Sequence, residues 1–217
     1  MRTKTLLLIA VLGVASIVAA VAQTTPVYSV NAVGYINVKI PKGYSMIANQ
    51  LIAADSSVKA LFPGVPGGTT ILKFDNANNR FLPNGYDAGF EEWNDPLMTL
   101  KPGEGAFVQN SSAGEFTVTF VGEVPQGAAS NMEIIHAGYS IVSSMVPQSG
   151  TLSQLNYTPA GGDEVYRFNN AKGQYDPYTY DAGFGEWSPG EPTVNVGESF
   201  FLFKKAVGTW TRNFSVN

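Results

Sequence analysis

Residues 71–120 return as residues 165–214. Aligned without a gap at an offset of 94, 18 of the 50 positions are identical, including Phe74/Phe168, Asn76/Asn170, Phe107/Phe201 and the dipeptides Gly103-Glu104 and Gly197-Glu198. The longest shared run is YDAGFEEW, from Tyr86 to Trp93, which returns as YDAGFGEW, from Tyr180 to Trp187. One deleted residue carries the match upstream, where GYSMIANQL (43–51) meets GYSIVSSMV (138–146). Solenoid repeats recur every ~20–50 residues, so a period of 94 marks a duplicated unit of domain size. The first repeat is placed at 23–127 and the second at 128–217, with the Pro/Gly-rich GEVPQGAAS (122–130) between them.

Inside each repeat the apolar residues alternate. TTILKF sets Leu72 and Phe74 against Ile71 and Lys73, and FTVTF sets Phe116, Val118 and Phe120 against threonines. A period of two with aromatic and β-branched residues marks half-buried strands. AFVQ (106–109) and FFLF (200–203) are continuous apolar runs, as expected of strands covered on both faces. AVGYINVKI adds a strand with Ile36, Val38 and Ile40 inward, and NMEII (131–135) is its shorter counterpart. FDNANNRF and FNNAKGQY read as hairpins. One short helical turn per repeat is predicted, capped by Asp55 before SSVKALF and by Ser149 before Leu152 and Leu155. The expected fold is all-β: two tandem antiparallel sandwich or barrel-like units of about six or seven strands each.

The chain opens with Arg2 and Lys4, an apolar run over 6–19, and Ala20-Val21-Ala22 before Gln23, the pattern of a cleaved secretory signal over residues 1–22. Cleavage leaves 195 residues with 11 basic and 17 acidic side chains, and no later run suited to spanning a membrane. No cluster of basic residues exists, which argues against nucleic acid as a partner. The chain has no Cys, so an exported form must rest on burial rather than disulfides. Its aromatic content, 13 Phe, 10 Tyr and 3 Trp, makes that feasible.

NAVGYINVKIPKGYSMIANQL (31–51), LKPGEGAFVQN (100–110) and FTVTFVGEVPQG (116–127) resemble motifs of a group of secreted bacterial β-repeat proteins. Members carry A-V-G-Y, G-[FY]-x-L-I-A-N-P-L and L-x-P-G-E-G-F-F-V strands. The likeness spans nearly all of the first repeat; the second departs from it at VNVGESFFLF, which lacks the proline, and Asn49-Gln50-Leu51 departs from N-P-L. The resemblance implies export and β architecture. The group has no assigned activity to carry over.

Catalytic motifs do not assemble. His136 is the single histidine and lies opposite Pro41 of the first repeat, so a duplicated triad is not available. Zinc would need several His or Cys ligands. DNANN (75–79) reads as a hairpin rather than a calcium loop, because Ala77 sits where an oxygen ligand belongs and Asn169 replaces Asp75 in the second repeat. PGEGAF precedes a strand, not a helix, unlike a phosphate loop. No catalytic residue, metal site or cofactor is expected. Asp87, Glu91, Glu92 and Asp95 leave a glycosidase pair as a remote alternative.

The octapeptide has two readings. In the first it is a turn, in which Asp87 or Asp181 accepts backbone N–H groups, Gly89 or Gly183 supplies a positive φ, and Tyr, Phe and Trp lock onto the core. In the second it is a binding surface for sugar rings or another protein. That surface comprises Tyr86, Asp87, Glu92, Trp93, Tyr180, Asp181, Glu186 and Trp187, with Tyr178 added from the tyrosine-rich strand QYDPYTY (174–180) of the second repeat. The first reading is preferred, because the octapeptide is shared along with the core Phe positions. The leading functional expectation is a non-catalytic exported β protein with a structural, adhesive or surface-assembly role, self-associating or binding an extracellular glycan or protein. A carbohydrate-binding module is the alternative.

Overall fold

A computed structural model describes residues 32–134 and 136–216; the expected leader, 1–22, lies outside them. The described chain is nearly all β. The first repeat contains β1 (Val33–Ile40), β2 (Gly43–Ala48), α1 (Val58–Leu61), β3 (Thr70–Asp75), β4 (Arg80–Asp87), β5 (Glu92–Trp93), β6 (Gly105–Asn110) and β7 (Phe116–Glu123). The second contains β8 (Met132–Ile134), β9 (Gly138–Val142), β10 (Gly150–Thr151), β11 (Glu164–Asn169), β12 (Gln174–Asp181), β13 (Glu186–Ser188), β14 (Thr193–Val194), β15 (Phe200–Lys204) and β16 (Gly208–Trp210).

The duplication is plain in the topology. One five-stranded antiparallel sheet runs β2-β6-β3-β4-β5, and its twin runs β9-β15-β11-β12-β13. A hairpin-like pair, β1·β7, lies over the first; β8·β16 does the same work in the second with three residue pairs instead of eight. No sheet among the described residues closes into a barrel.

The strand periodicity sorts side chains into three cores. Ile71, Ala106 and Val108 face inward beneath Ile36, Ile40, Val118 and Phe120 of β1·β7, forming the core of the first repeat. Val165, Leu202, Phe200 and Trp210 do so in the second. The opposite faces of the two large sheets meet each other. Met46, Phe107, Ile141 and Phe201 are buried there, with Leu72, Phe74, Tyr166 and Phe168 packed around them. AFVQ and FFLF are continuously apolar for this reason: Phe107 and Phe201 enter the shared core while Ala106, Val108, Phe200 and Leu202 enter the separate ones.

The seam is reciprocal. Ala48 N–H donates to the Gly197 carbonyl at 2.9 Å, and Ser143 N–H, its counterpart, donates to the Gly103 carbonyl at 3.0 Å. Asn76 Nδ2 reaches Ser140 Oγ at 2.6 Å, and Asn170 Nδ2 reaches Ser45 Oγ at 3.4 Å and the Tyr44 carbonyl. Each repeat thus lends the other the same two contacts, related by an approximate two-fold axis. Backbones come close at this axis. A Cβ on Gly105 would stand 2.4 Å from Ser199 Cβ and 2.5 Å from Ile141 Cγ2.

The helical turns differ from expectation in their caps. Ser57, not Asp55, caps α1, accepting from Ala60 N–H at 3.3 Å; Asp55 instead accepts from Ser57 N–H at 2.8 Å. In the second repeat the predicted segment forms a turn over 152–156 rather than a helix, and a 3-10 turn, Gly127–Ser130, lies at the junction of the repeats. Thr151 rather than Ser149 starts the 152–156 turn, through a reciprocal pair in which Gln154 N–H meets Thr151 Oγ1 and Thr151 N–H meets Gln154 Oε1. That is the T-x-x-Q capping box, readable in the sequence once the register is known. Ser57 and Thr151 are equivalent positions, 94 apart.

Candidate functional site

The octapeptide folds as a tight hairpin in both repeats. Tyr86 pairs with Trp93 and Asp87 with Glu92 across β4 and β5; Tyr180 pairs with Trp187 and Asp181 with Glu186 across β12 and β13. The Tyr and Trp rings of each pair meet at a tilt, 5.2 Å and 5.3 Å between centroids. Trp93 and Trp187 are buried, 5% and 8% exposed, so their indole faces belong to the two repeat cores. Tyr86, Tyr178 and Tyr180 are half-buried against the same cores. Asp87, Glu92, Asp181 and Glu186 are exposed.

The turn itself is an Asp turn. Asp87 Oδ1 accepts from Gly89 N–H at 2.8 Å and Asp181 Oδ1 from Gly183 N–H at 2.7 Å. Neither glycine has a positive φ; a Cβ on either would lie 3.1 Å from the Asp oxygen, a tight contact that the turn avoids by using glycine. The positive φ falls two residues later, at Glu91 (55°) and Gly185 (70°). The single difference between the two octapeptides therefore sits where the backbone is most demanding. A non-glycine residue in the left-handed region is strained by roughly 1–2 kcal/mol. Glu91→Gly is expected to stabilise the protein by about 0.5–1 kcal/mol after the added freedom of the unfolded chain is subtracted. Gly185→Glu should cost a similar amount. Urea midpoints with unchanged slopes would show both effects.

The aromatic locking is incomplete. Tyr and Trp pack inward, but Phe90 and Phe184 project from the turns at 79% and 81% exposure. They are the most exposed aromatic rings among the described residues.

Gly103-Glu104 and Gly197-Glu198 are more than a strand-entry turn. Glu104 accepts from Lys101 N–H at 2.7 Å and binds Lys73 Nζ at 3.0 Å. Glu198 accepts from Asn195 N–H at 3.0 Å and takes Arg167 in a two-pronged pair at 2.7 and 3.0 Å. The preceding glycines have φ of 85° and 76°, supply the two seam carbonyls and leave no room for a Cβ beside Met145 or Val38. The shared Gly-Glu is the joint between the repeats.

Two aromatic grooves flank the shared core, and these were not singled out by the sequence. One, of about 300 Å³, is lined by Phe74, Asn79, Tyr139, Tyr166, Tyr175 and Phe201. The other, of about 400 Å³, is lined by their counterparts Phe168, Gly173, Tyr44, Leu72, Phe81 and Phe107, together with Tyr175. Each combines rings from both repeats. Tyr139, Tyr175, Tyr44 and Phe81 stand at the rims, each about two-fifths exposed. In the first groove Tyr166 donates to Glu164, and that bond raises its phenol to well above the ordinary value. The phenol therefore stays protonated throughout the physiological range.

Asp75 is committed to its hairpin, accepting from Asn78 N–H and Nδ2 and pairing with Arg80. Asp95 accepts from Leu97 and Met98 N–H groups. Comparison with known protein families, with curated proteins and with solved structures finds no match.

Proposed function

We propose that the chain is an exported, non-catalytic β protein with a structural, adhesive or surface-assembly role. The observation that carries this reading is the use made of the residues the two repeats share. The octapeptide Asp, Tyr and Trp close a hairpin, the Gly-Glu pair joins the repeats, and Phe74, Phe107, Phe168 and Phe201 fill the core between them. These shared residues tie the two repeats into one compact unit. The signal-like leader and the resemblance to secreted β-repeat proteins point the same way.

The glycan-binding alternative would have to act without an indole platform, since both octapeptide tryptophans are buried. Cell fractionation followed by mass spectrometry of the native protein tests the leading proposal. The expected result is a chain starting at Gln23 and recovered in a cell-surface or extracellular assembled fraction. Cytoplasmic protein that retains residues 1–22 would overturn it.

No helix among the described residues is long and apolar enough to cross a membrane.

A further inference from the structure

Of the ion pairs among the described residues, only Lys204–Asp163 is sealed from water. Its side chains are 9% and 2% exposed, against 17% or more at both ends of the others. Lys204 Nζ lies 2.7 Å from Asp163 Oδ2. Tyr157 OH and Ala160 N–H donate to that same oxygen at 2.6 and 2.9 Å, and Nζ also donates to the Tyr157 oxygen at 3.1 Å. The phenol is fixed in place, because its ring belongs to the second core and meets Trp210 edge-on at 5.2 Å. An amine, a carboxyl group and a proton-bearing hydroxyl are thus held in mutual contact in a dry site. The fold itself does not demand this chemistry. The first repeat has Thr69 and Asn110 at the two positions, and hydrogen bonds to backbone carbonyls suffice there.

We propose that Lys204 and Asp163 condense to an isopeptide bond, a covalent staple between the end of β15 and the residue that leads into β11. One proton passes from the ammonium to the carboxylate, leaving a neutral amine and a neutral acid. The amine lone pair attacks Cγ. Tyr157 OH and Ala160 N–H then hold Oδ2 as it gains negative charge, in the manner of an oxyanion hole. Oδ1 leaves as water with two protons that began on Nζ, and Oδ2 becomes the amide carbonyl oxygen. One C–N bond forms, one C–O bond breaks, and nothing is oxidised or reduced.

The site favours this step in three ways. Well-oriented intramolecular groups react as if present at about 10⁵–10⁸ M. The amide is neutral, so condensation removes two charges whose burial is costly. Excluded water cannot hydrolyse the product. The staple also falls where the fold has least cover. The ribbon β1·β7 covers the first repeat with eight residue pairs, whereas β8·β16 covers the second with three. The chain has no Cys, so a disulfide cannot serve there.

Mass spectrometry of the full chain, purified in its native state and then unfolded in urea, provides the test. The expected mass is one water, about 18 Da, below that of the sequence read from the observed N-terminus. Trypsin should release a branched peptide that joins the segment carrying Asp163 to the segment carrying Lys204, with no cut after Lys204. Lys204→Arg should keep the full mass. Tyr157→Phe should fold and be recovered largely unjoined, because loss of one oxyanion donor slows such a step by about 10²–10³. Natively folded wild type at full mass, without the branched peptide, would overturn the inference. Loss of water that persists in Lys204→Arg would do the same. A Tyr157→Phe protein joined as completely as wild type would overturn the step as written. None of these outcomes depends on where the chain resides or what it assembles with.

Discussion

Asp163→Ala is expected to be the most damaging single polar substitution, costing about 3–5 kcal/mol. Asp163 is buried and accepts three hydrogen bonds: from Tyr157 OH at 2.6 Å, from Lys204 Nζ at 2.7 Å and from Ala160 N–H at 2.9 Å. Burial, with the Asp163 carboxylate adding to it, pushes the Tyr157 phenol far above its usual value, so it remains a donor. Removing the carboxylate strands a buried ammonium and a buried hydroxyl together. The first repeat solves the same position without charge. Thr69 and Asn110 occupy the places of Asp163 and Lys204; Thr69 bonds the Pro66 carbonyl and Asn110 the carbonyls of Ile40 and Gly114. The double variant Asp163→Thr/Lys204→Asn should therefore lose much less than Asp163→Ala alone, because neither member is left as an unpaired buried charge. Urea denaturation of the three proteins measures the difference.

Phe107→Ala should cost about as much, 3–5 kcal/mol, but for a different reason. Phe107 is buried at the meeting of the two sheets. Its ring lies 5.2 Å from Phe168 and 6.4 Å from Phe201 across the seam, and 5.9 Å from Phe81 and 6.1 Å from Tyr44 within its own repeat. The cavity would open between repeats rather than within one. A loss confined to the first repeat would follow if the repeats were independent. The reciprocal seam predicts instead that the second repeat weakens equally, which amide hydrogen exchange in β3 and β11 can resolve.

The strand pattern, the hairpins and the duplication were legible because each is local. Alternation at Leu72 and Phe74 reports a half-buried strand whatever lies above it. The same logic could not say what lies above it. Nothing in TTILKF distinguishes a face covered by its own repeat from one covered by the other, so the shared core emerged only with the topology. The Gly-Glu dipeptide was visible as a shared element, but its role depends on a carbonyl reaching a strand from the other repeat. The octapeptide was half legible. Asp87 and Asp181 make the predicted turn, while the positive φ falls at 91 and 185 rather than at the glycines 89 and 183. A Glu at that position hid it, because residue type is the only sequence signal for a left-handed backbone. The exposed Phe90 and Phe184 were expected inside for the same reason that core phenylalanines were: hydrophobicity alone does not report direction.

The central claim is that the two repeats form one cooperative body. Trp93 reports the first repeat's core, and Trp187 and Trp210 report the second's. Their indole N–H resonances can be followed together in a single urea titration of the unmodified protein. One body predicts that all three native signals vanish with a common midpoint and slope. Loss of the Trp93 signal at a different urea concentration from the other two would contradict it.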